Sequence, residues 1–121
     1  MTTKKTLVLG ASANPARYSY LAINKLKAYG HPVVAIGKKA AIVNDIVIGT
    51  EQVSFDDIDT VTLYLNPEKQ KTYYNYILSL HPNRIIFNPG AENEELAELA
   101  IEKGIKAQEA CTLVLLSTGQ Y

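Results

Sequence analysis

The chain has 121 residues, of which 47% are hydrophobic and 20% charged, and 12 lysines and arginines balance 12 aspartates and glutamates. This length predicts one domain, residues 1–121, that can bury a core without disulfides or metal. The zero net charge argues against nucleic acid or an anionic membrane as a partner, because both are bound through broadly basic surfaces.

The metal-binding and redox residue types are scarce. Cys111 is the only cysteine and there are two histidines, so the sequence offers neither a disulfide framework nor a metal site. No stretch approaches the roughly 20 apolar residues that span a membrane, and the N-terminus lacks the apolar core of a signal peptide. We therefore expect a cytoplasmic protein with no metal.

Short apolar runs alternate along the chain with longer amphipathic stretches, which is typical of βαβ folds. Strands are predicted at 6–9, 32–36, 60–65, 84–87 and 105–107. Helices are predicted at 19–29, 67–80 and 94–103, the last two with Asn66 and Asn93 as N-caps. Residues 42–49 contain an Asn-Asp turn signal and predict a hairpin or a loose excursion.

Parallel strands joined by right-handed helical crossovers predict a single doubly wound, Rossmann-like α/β domain. The simplest version is a five-stranded parallel sheet in the order 3-2-1-4-5, counting the predicted strands along the chain. Ligands bind such sheets beyond the C-terminal ends of the strands, where the order reverses, here between the first and fourth strands. His31 and His81 fall at the opposite edge and are poor catalytic candidates.

The loops at the predicted ligand edge supply small, polar and basic residues. The candidate binding residues are Gly10, Ala11, Ser12, Asn14, Pro15, Arg17, Gly37, Lys38, Lys39, Asn66, Pro67 and Gly90. A glycine between a strand and a helix lets backbone N–H groups approach a phosphate, which the helix N-terminus favours. Arg17 can hold phosphate oxygens through two parallel hydrogen bonds, or it is an ordinary surface arginine.

The residues at the end of the predicted second strand indicate which class of nucleotide the site would bind. An NAD site normally has an acidic residue there, which binds the ribose hydroxyl. This chain has Lys38 and Lys39, which suit a phosphorylated ribose, as in CoA or NADP. A solvated lysine pair is the alternative interpretation.

The segments Gly10-Ala11-Ser12, Pro15, Arg17 and Ser19-Tyr20 resemble the G-A-S-x-x-P-x-R-x-S-Y opening of the small stand-alone CoA-binding proteins. These are relatives of the CoA-binding domain of the succinyl-CoA synthetase alpha subunit, and the similarity covers nearly the whole chain. The resemblance implies that Gly10, Ser12 and Arg17 hold the pyrophosphate. It also implies that the loop after the second strand holds the adenosine phosphate and that the loop ending at Gly90 borders the pantetheine arm.

Three positions depart from the pattern of that family. Gly37 stands where a rigid proline turn is usual, Asn88-Pro89 replaces a glutamine-containing turn, and Glu109-Ala110 precedes Cys111 in place of Asp-Arg. These departures leave open whether the cleft binds CoA. A mixed disulfide between Cys111 and a CoA thiol is conceivable, but an isolated cysteine among apolar residues is more often a small buried hydrophobe.

The sequence contains no nucleophile with an adjacent base and no paired carboxylates at the ligand edge. It therefore lacks the residues that general acid–base or covalent catalysis needs. We expect a non-catalytic binding, sensor or regulatory module for CoA or an acyl-CoA. The alternatives are an NADP-binding small oxidoreductase or subunit, and a protein-interaction module with a degenerate nucleotide cleft. The apolar run within residues 112–121 is expected to cover the sheet edge or to bury a face against a second copy or another protein.

Overall fold

A seven-stranded sheet forms the centre of the computed structural model, which describes residues 3–121. The strands are β1 (Thr6–Ala11), β2 (Val33–Gly37), β3 (Ala41–Val43), β4 (Ile46–Gly49), β5 (Thr60–Leu63), β6 (Arg84–Phe87) and β7 (Lys106–Glu109). They lie in the order β3-β4-β2-β1-β5-β6-β7. All neighbours are parallel except β3 and β4, which pair antiparallel. The predicted α/β Rossmann-like domain is confirmed.

The predicted strand count and order are wrong. The prediction places the strand at 60–65 beside β2, on the side away from β1. In the structure β5 pairs directly with β1, from Thr6 opposite Thr60 to Leu9 opposite Leu63. The position beside β2 is taken by β4 of the hairpin, which raises the count from five strands to seven. Because the hairpin occupies that edge, the next crossover passes to the other side of β1. The strand order therefore reverses between β1 and β5, not between β1 and β6.

The β3–β4 hairpin forms as the Asn-Asp signal indicates. Asn44 and Asp45 both adopt positive φ, at 49° and 67°. Two consecutive residues of this conformation make a two-residue turn whose twist matches that of the flanking strands. Asn and Asp tolerate this conformation better than other non-glycine residues. The hairpin is thus encoded locally, although its place in the sheet is not.

Helices cover both faces of the sheet. They are α1 (Tyr18–Ala28), α2 (Pro67–Gln70), α3 (Tyr74–Ser79), α4 (Glu94–Glu102) and α5 (Thr112–Ser117). The single helix predicted at 67–80 is wrong, because a 3₁₀ turn at Lys71–Tyr73 separates α2 from α3 directly after the buried Gln70. Within residues 3–121, no helix has the length and apolar content needed to span a bilayer.

The predicted helix starts at Asn66 and Asn93 are confirmed. The Asn66 side chain accepts a hydrogen bond from the backbone N–H of Lys69 at 2.9 Å, and Asn93 accepts one from Leu96 at 3.2 Å. Each amide oxygen thereby binds one of the N–H groups that a helix leaves free at its first turn.

Two apolar cores lie on opposite faces of the central strands. On one face, Leu7 and Leu9 pack with residues of α3 and α4, including Ile77 and Leu96. On the other face, residues of β1, α1 and α5 pack together, among them Val8, Ile23, Leu26 and Leu116. The apolar run near the end of the chain therefore forms α5 and covers this second face beside α1.

The amino-terminal edge of the sheet carries a cluster around Tyr121. The guanidinium of Arg84 lies over the Tyr121 ring at 4.3 Å from its centroid, and the His31 ring meets it edge-on at 4.9 Å. The Tyr121 hydroxyl is hydrogen-bonded to that of Thr6. His31 Nδ1 in turn accepts a hydrogen bond of 2.9 Å from the backbone N–H of Lys4. His31 thus lies at the edge predicted for it, away from the ligand edge.

This environment predicts a pH dependence of stability. Partial burial, followed by the charges of Lys4 and Arg84, lowers the pKa of His31. The unfolded chain, with a histidine pKa of about 6.5, then takes up the proton before the folded state does. The contribution of His31 is fully present above about pH 6.5 and is lost as the pH falls towards its folded pKa.

We expect His31→Asn, which offers Lys4 an oxygen in place of Nδ1, to reduce this dependence. The free energy of unfolding in urea, measured at about pH 7.5 and about pH 5.5, should fall less in the variant than in the parent protein. Equal decreases in the two proteins would show that His31 does not titrate as described.

Candidate functional site

A cavity of about 780 Å³ opens beyond the C-terminal ends of β1, β2, β5 and β6. Its lining residues are Gly10, Ala11, Ser12, Ala13, Asn14, Arg17, Tyr18, Ser19, Lys38, Lys39, Ala40, Ala41, Tyr64, Leu65, Asn66, Lys69, Pro89, Gly90 and Ala91. The volume lies within the usual range for small-molecule sites. The cavity spans the point between β1 and β5 where the strand order reverses, which is where doubly wound sheets bind ligands.

The structure brings most of the sequence-predicted residues together at this cavity. Those that line it are Gly10, Ala11, Ser12, Asn14, Arg17, Lys38, Lys39, Asn66 and Gly90. Three candidates do not line it. Pro15 is exposed in the loop after β1, Gly37 is buried at the end of β2, and Pro67 occupies the first position of α2, where its fixed backbone suits a helix start.

Several lining residues in and after the loop that follows β5 are not among those predicted from the sequence. Tyr64 and Leu65 fall within the strand predicted at 60–65, which in fact ends at Leu63, and Lys69 falls within the helix predicted at 67–80. Burial raises the pKa of the Tyr64 hydroxyl well above its usual value, so this phenol is neutral. The available signal was position alone, since all three residues closely follow a buried strand at the ligand edge.

The loop after β1 is held in shape by its own side chains. Ser12 Oγ accepts a 3.0 Å hydrogen bond from the Asn14 N–H, and Asn14 Oδ1 accepts one of 3.0 Å from the Ala16 N–H.

Gly10 has a φ of +92°, and a Cβ there would lie 2.9 Å from the Tyr64 carbonyl carbon. Gly10 lies within β1, where the register with β2 shifts, and only glycine fits there without strain, because other residues disfavour positive φ and no space is left for a side chain.

The first turn of α1 faces the cavity, and among the described residues no side chain caps its N–H groups. Arg17 occupies the N-cap position, but among the described residues no side chain accepts a hydrogen bond there, and the first turn contains no acidic residue. Tyr18 and Ser19 of this turn line the cavity. The positive end of the helix dipole and the free N–H groups together favour an anion at this position.

The charged side chains among the described lining residues are all positive. Arg17, Lys38, Lys39 and Lys69 are exposed and line it, whereas the described lining residues include no aspartate or glutamate. None of these four cations forms an ion pair with a described carboxylate. A chain of zero net charge therefore carries a local positive site, which suits a small ligand with several phosphates.

The two ends of the cavity differ in the charge of their lining residues. The loops after β1 and β2 carry Arg17, Lys38 and Lys39. The loops after β5 and β6 contribute mainly uncharged residues, among them Leu65 and the segment 89–91, with Lys69 as the one cation of the lining on that side. The arrangement suits a ligand that is phosphorylated at one end and uncharged along the other.

Asn88 has a structural role. Its side chain is 2% exposed, donates hydrogen bonds to Thr62 Oγ1 at 2.7 Å and to the Leu63 carbonyl at 2.9 Å, and accepts one from the Thr112 N–H at 2.9 Å. It therefore joins β5, β6 and the start of α5 beneath the cavity. Cys111, directly before α5, is partly buried and is not among the lining residues.

A largely parallel α/β sheet, with a cationic cavity free of described carboxylates at the reversal of strand order, defines a Rossmann-like domain of the kind that holds anionic ligands at its carboxyl edge. The chain belongs to the CoA binding domain family, whose sequence model matches residues 4–117. The resemblance found in the sequence is thereby confirmed.

Comparison with solved structures shows the same fold in other proteins. A crystal structure described as that of an uncharacterized protein is 50% identical, with full coverage of both chains and a TM-score of 0.97. A hypothetical protein from Pyrococcus horikoshii OT3 shares the fold at 22% identity, with 96% of this chain and 83% of that chain covered and a TM-score of 0.84. No curated protein sequence gives a significant match.

A larger enzyme contains a similar fold. The dinucleotide-forming acetyl-coenzyme A synthetase 1 of Ca. Korarchaeum cryptofilum, in complex with phosphate and ADP, is 19% identical, with a TM-score of 0.69. The match covers 86% of this chain and 25% of that enzyme. At this identity the likeness shows the fold alone.

Proposed function

We propose that this protein binds CoA or an acyl-CoA in the cavity and acts as a binding, sensor or regulatory module without chemistry of its own. The observation that carries the proposal is the cationic cavity at the reversal of strand order in a chain of the CoA binding domain family. CoA carries a pyrophosphate and a ribose phosphate at one end and an uncharged arm at the other, which matches the charge distribution of the lining.

The placement of the ligand follows from that distribution. The pyrophosphate lies at the first turn of α1, where uncapped N–H groups and Arg17 provide donors. The ribose 3′-phosphate lies by Lys38 and Lys39 after β2. The pantetheine arm extends over the loops after β5 and β6, past Leu65 and Gly90.

The side chains around the cavity support binding more than catalysis. The described lining residues include no histidine, cysteine or carboxylate, and so no general base with an ordinary pKa near neutrality. The hydroxyl of Ser12 accepts a hydrogen bond from the loop backbone and has no basic side chain as a partner among the described residues. A bound thioester would therefore meet neither an activated nucleophile nor a proton acceptor.

Two of the three departures from the family pattern, at Gly37 and at Asn88, do not close the cavity. Gly37 lies behind the loop after β1, and Asn88 lies beneath the cavity, bonded to β5 and α5. Both residues shape the framework of the site, and of the residues that depart from the family pattern only Pro89 belongs to the described lining. This observation favours a working cleft over a degenerate one.

Calorimetry with CoA, dephospho-CoA, NADP and NAD tests the proposal. CoA should bind most tightly, and dephospho-CoA about tenfold more weakly, because it lacks the phosphate that Lys38 and Lys39 would contact. At a hundredfold excess over its Kd, CoA should raise the free energy of unfolding by about 2.7 kcal/mol. Tighter binding of NADP would favour the oxidoreductase alternative, and no binding of any nucleotide would favour the interaction module.

A further inference from the structure

Gln70, at the end of α2, is an uncharged polar residue on a surface helix, yet it is 0% exposed. Its side-chain Nε2 donates two hydrogen bonds, to the carbonyl of Leu65 at 2.8 Å and to that of Ala91 at 2.7 Å. Leu65 and Ala91 both line the cavity, one in the loop after β5 and the other in the loop after β6. A single buried amide therefore joins these two loops.

The orientation of this amide is fixed by its neighbour. Asn93 caps α4 through Oδ1, which accepts from the Leu96 N–H, so its Nδ2 must point the other way. That Nδ2 donates to Gln70 Oε1 at 2.9 Å and to the Tyr74 hydroxyl at 2.8 Å. With its oxygen held by Asn93, the Gln70 amide can only present its NH₂ group to the two carbonyls.

The sheet itself does not fix the distance between these loops. The pairing of β5 with β6 ends at Leu63 opposite Phe87, before the chain reaches Leu65 or Ala91. Beyond that pair one segment continues into α2 and the other leads to α4. The Gln70 amide bridges them where strand pairing no longer does. A buried amide with all its partners is costly to disturb, because each freed polar group would stay unsatisfied.

We propose that Gln70 is a positioning residue that sets the separation of the loops after β5 and β6, and so shapes the part of the cavity that receives the unphosphorylated arm of the ligand. The inference rests on the proposed binding of CoA. Gln70 acts through the carbonyls of Leu65 and Ala91 and is not itself a lining residue.

The test compares two ligands, CoA and adenosine 3′-phosphate 5′-diphosphate, which is CoA without its pantetheine arm. Gln70→Met keeps the length of the side chain and removes both donors. Asn93→Asp keeps the cap of α4 but presents only acceptors, which turns the Gln70 amide over and withdraws its NH₂ group from the carbonyls. Both variants should bind CoA about tenfold more weakly and the arm-less nucleotide as the parent protein does.

Tyr74→Phe is the matched control. It removes the hydroxyl that contacts Asn93 and Glu95 but leaves the bonds of Gln70 in place. Its affinity for both ligands should therefore be unchanged.

Each other outcome overturns a distinct claim. If the parent protein binds CoA and both variants bind it equally well, Gln70 does not position the loops. If the variants lose both ligands in parallel, its role is general structural support. If the parent protein does not bind CoA, the proposed function itself fails. Should Gln70→Met fail to fold, Asn93→Asp alone decides the matter.

Discussion

Replacing Arg17 with alanine is expected to weaken CoA binding by roughly 10- to 100-fold, because it removes charge-assisted hydrogen bonds to phosphate worth about 1.5–3 kcal/mol. The fold should be unaffected, since the Arg17 side chain is exposed and caps no helix. Calorimetry gives the affinity, and urea unfolding checks the stability. Lys103→Ala is a suitable control, because this lysine is exposed and lies outside the cavity lining.

A comparison with dephospho-CoA distinguishes the contribution of Arg17, at the pyrophosphate, from that of Lys39, at the 3′-phosphate. Arg17→Ala should weaken CoA and dephospho-CoA to the same extent, because both carry the pyrophosphate. Lys39→Ala should weaken CoA more than dephospho-CoA, because only CoA has the 3′-phosphate. Unchanged CoA affinity in both variants would remove the assignment of the site.

Gly37→Ala is expected to destabilise the protein by about 3 kcal/mol, the upper part of the usual range for overpacking. A Cβ at this position would lie 2.2 Å from the Ala11 carbonyl oxygen and 3.0 Å from Ile48 Cγ2. Ala11 pairs with Gly37 where the register of β1 and β2 shifts, so the backbone of β1 would have to move. The free energy of unfolding in urea measures the effect.

Gly49→Ala provides the comparison. Gly49 ends the neighbouring strand β4, pairs with Ile36, and has no heavy atom within 4 Å of an added Cβ. Its replacement should change stability by no more than about 0.5 kcal/mol. If the two alanine variants are equally stable, close approach of the two backbones is not the reason for glycine at position 37.

Local signals identified most elements of this fold. Asn66 with Pro67, and Asn93 with the acidic residues after it, mark helix starts that the structure confirms. The turn residues Asn44 and Asp45 mark the hairpin. These predictions succeed because cap and turn geometry depend on residues within a few positions of each other.

The strand order did not follow from local signals. The same pattern of strands and helices is compatible with β5 on either side of β1. The choice depended on where the hairpin at residues 41–49 pairs, which is a contact between distant parts of the chain. The helix break after Gln70 has a similar origin, because the side chain of this residue bonds to Leu65 and Ala91 and not to its own helix face.

The α/β class, the family and the residue types at the carboxyl ends of the strands can be predicted from the linear chain, because they depend on periodicity, short motifs and chemistry. The three-dimensional packing sets which strand lies beside β1, and therefore that Tyr64 and Lys69 share a cavity with Arg17 and Lys38. It also decided that Gln70 is buried. In each case pairing, burial and hydrogen bonding join segments that are far apart in sequence, and no local pattern encodes such contacts.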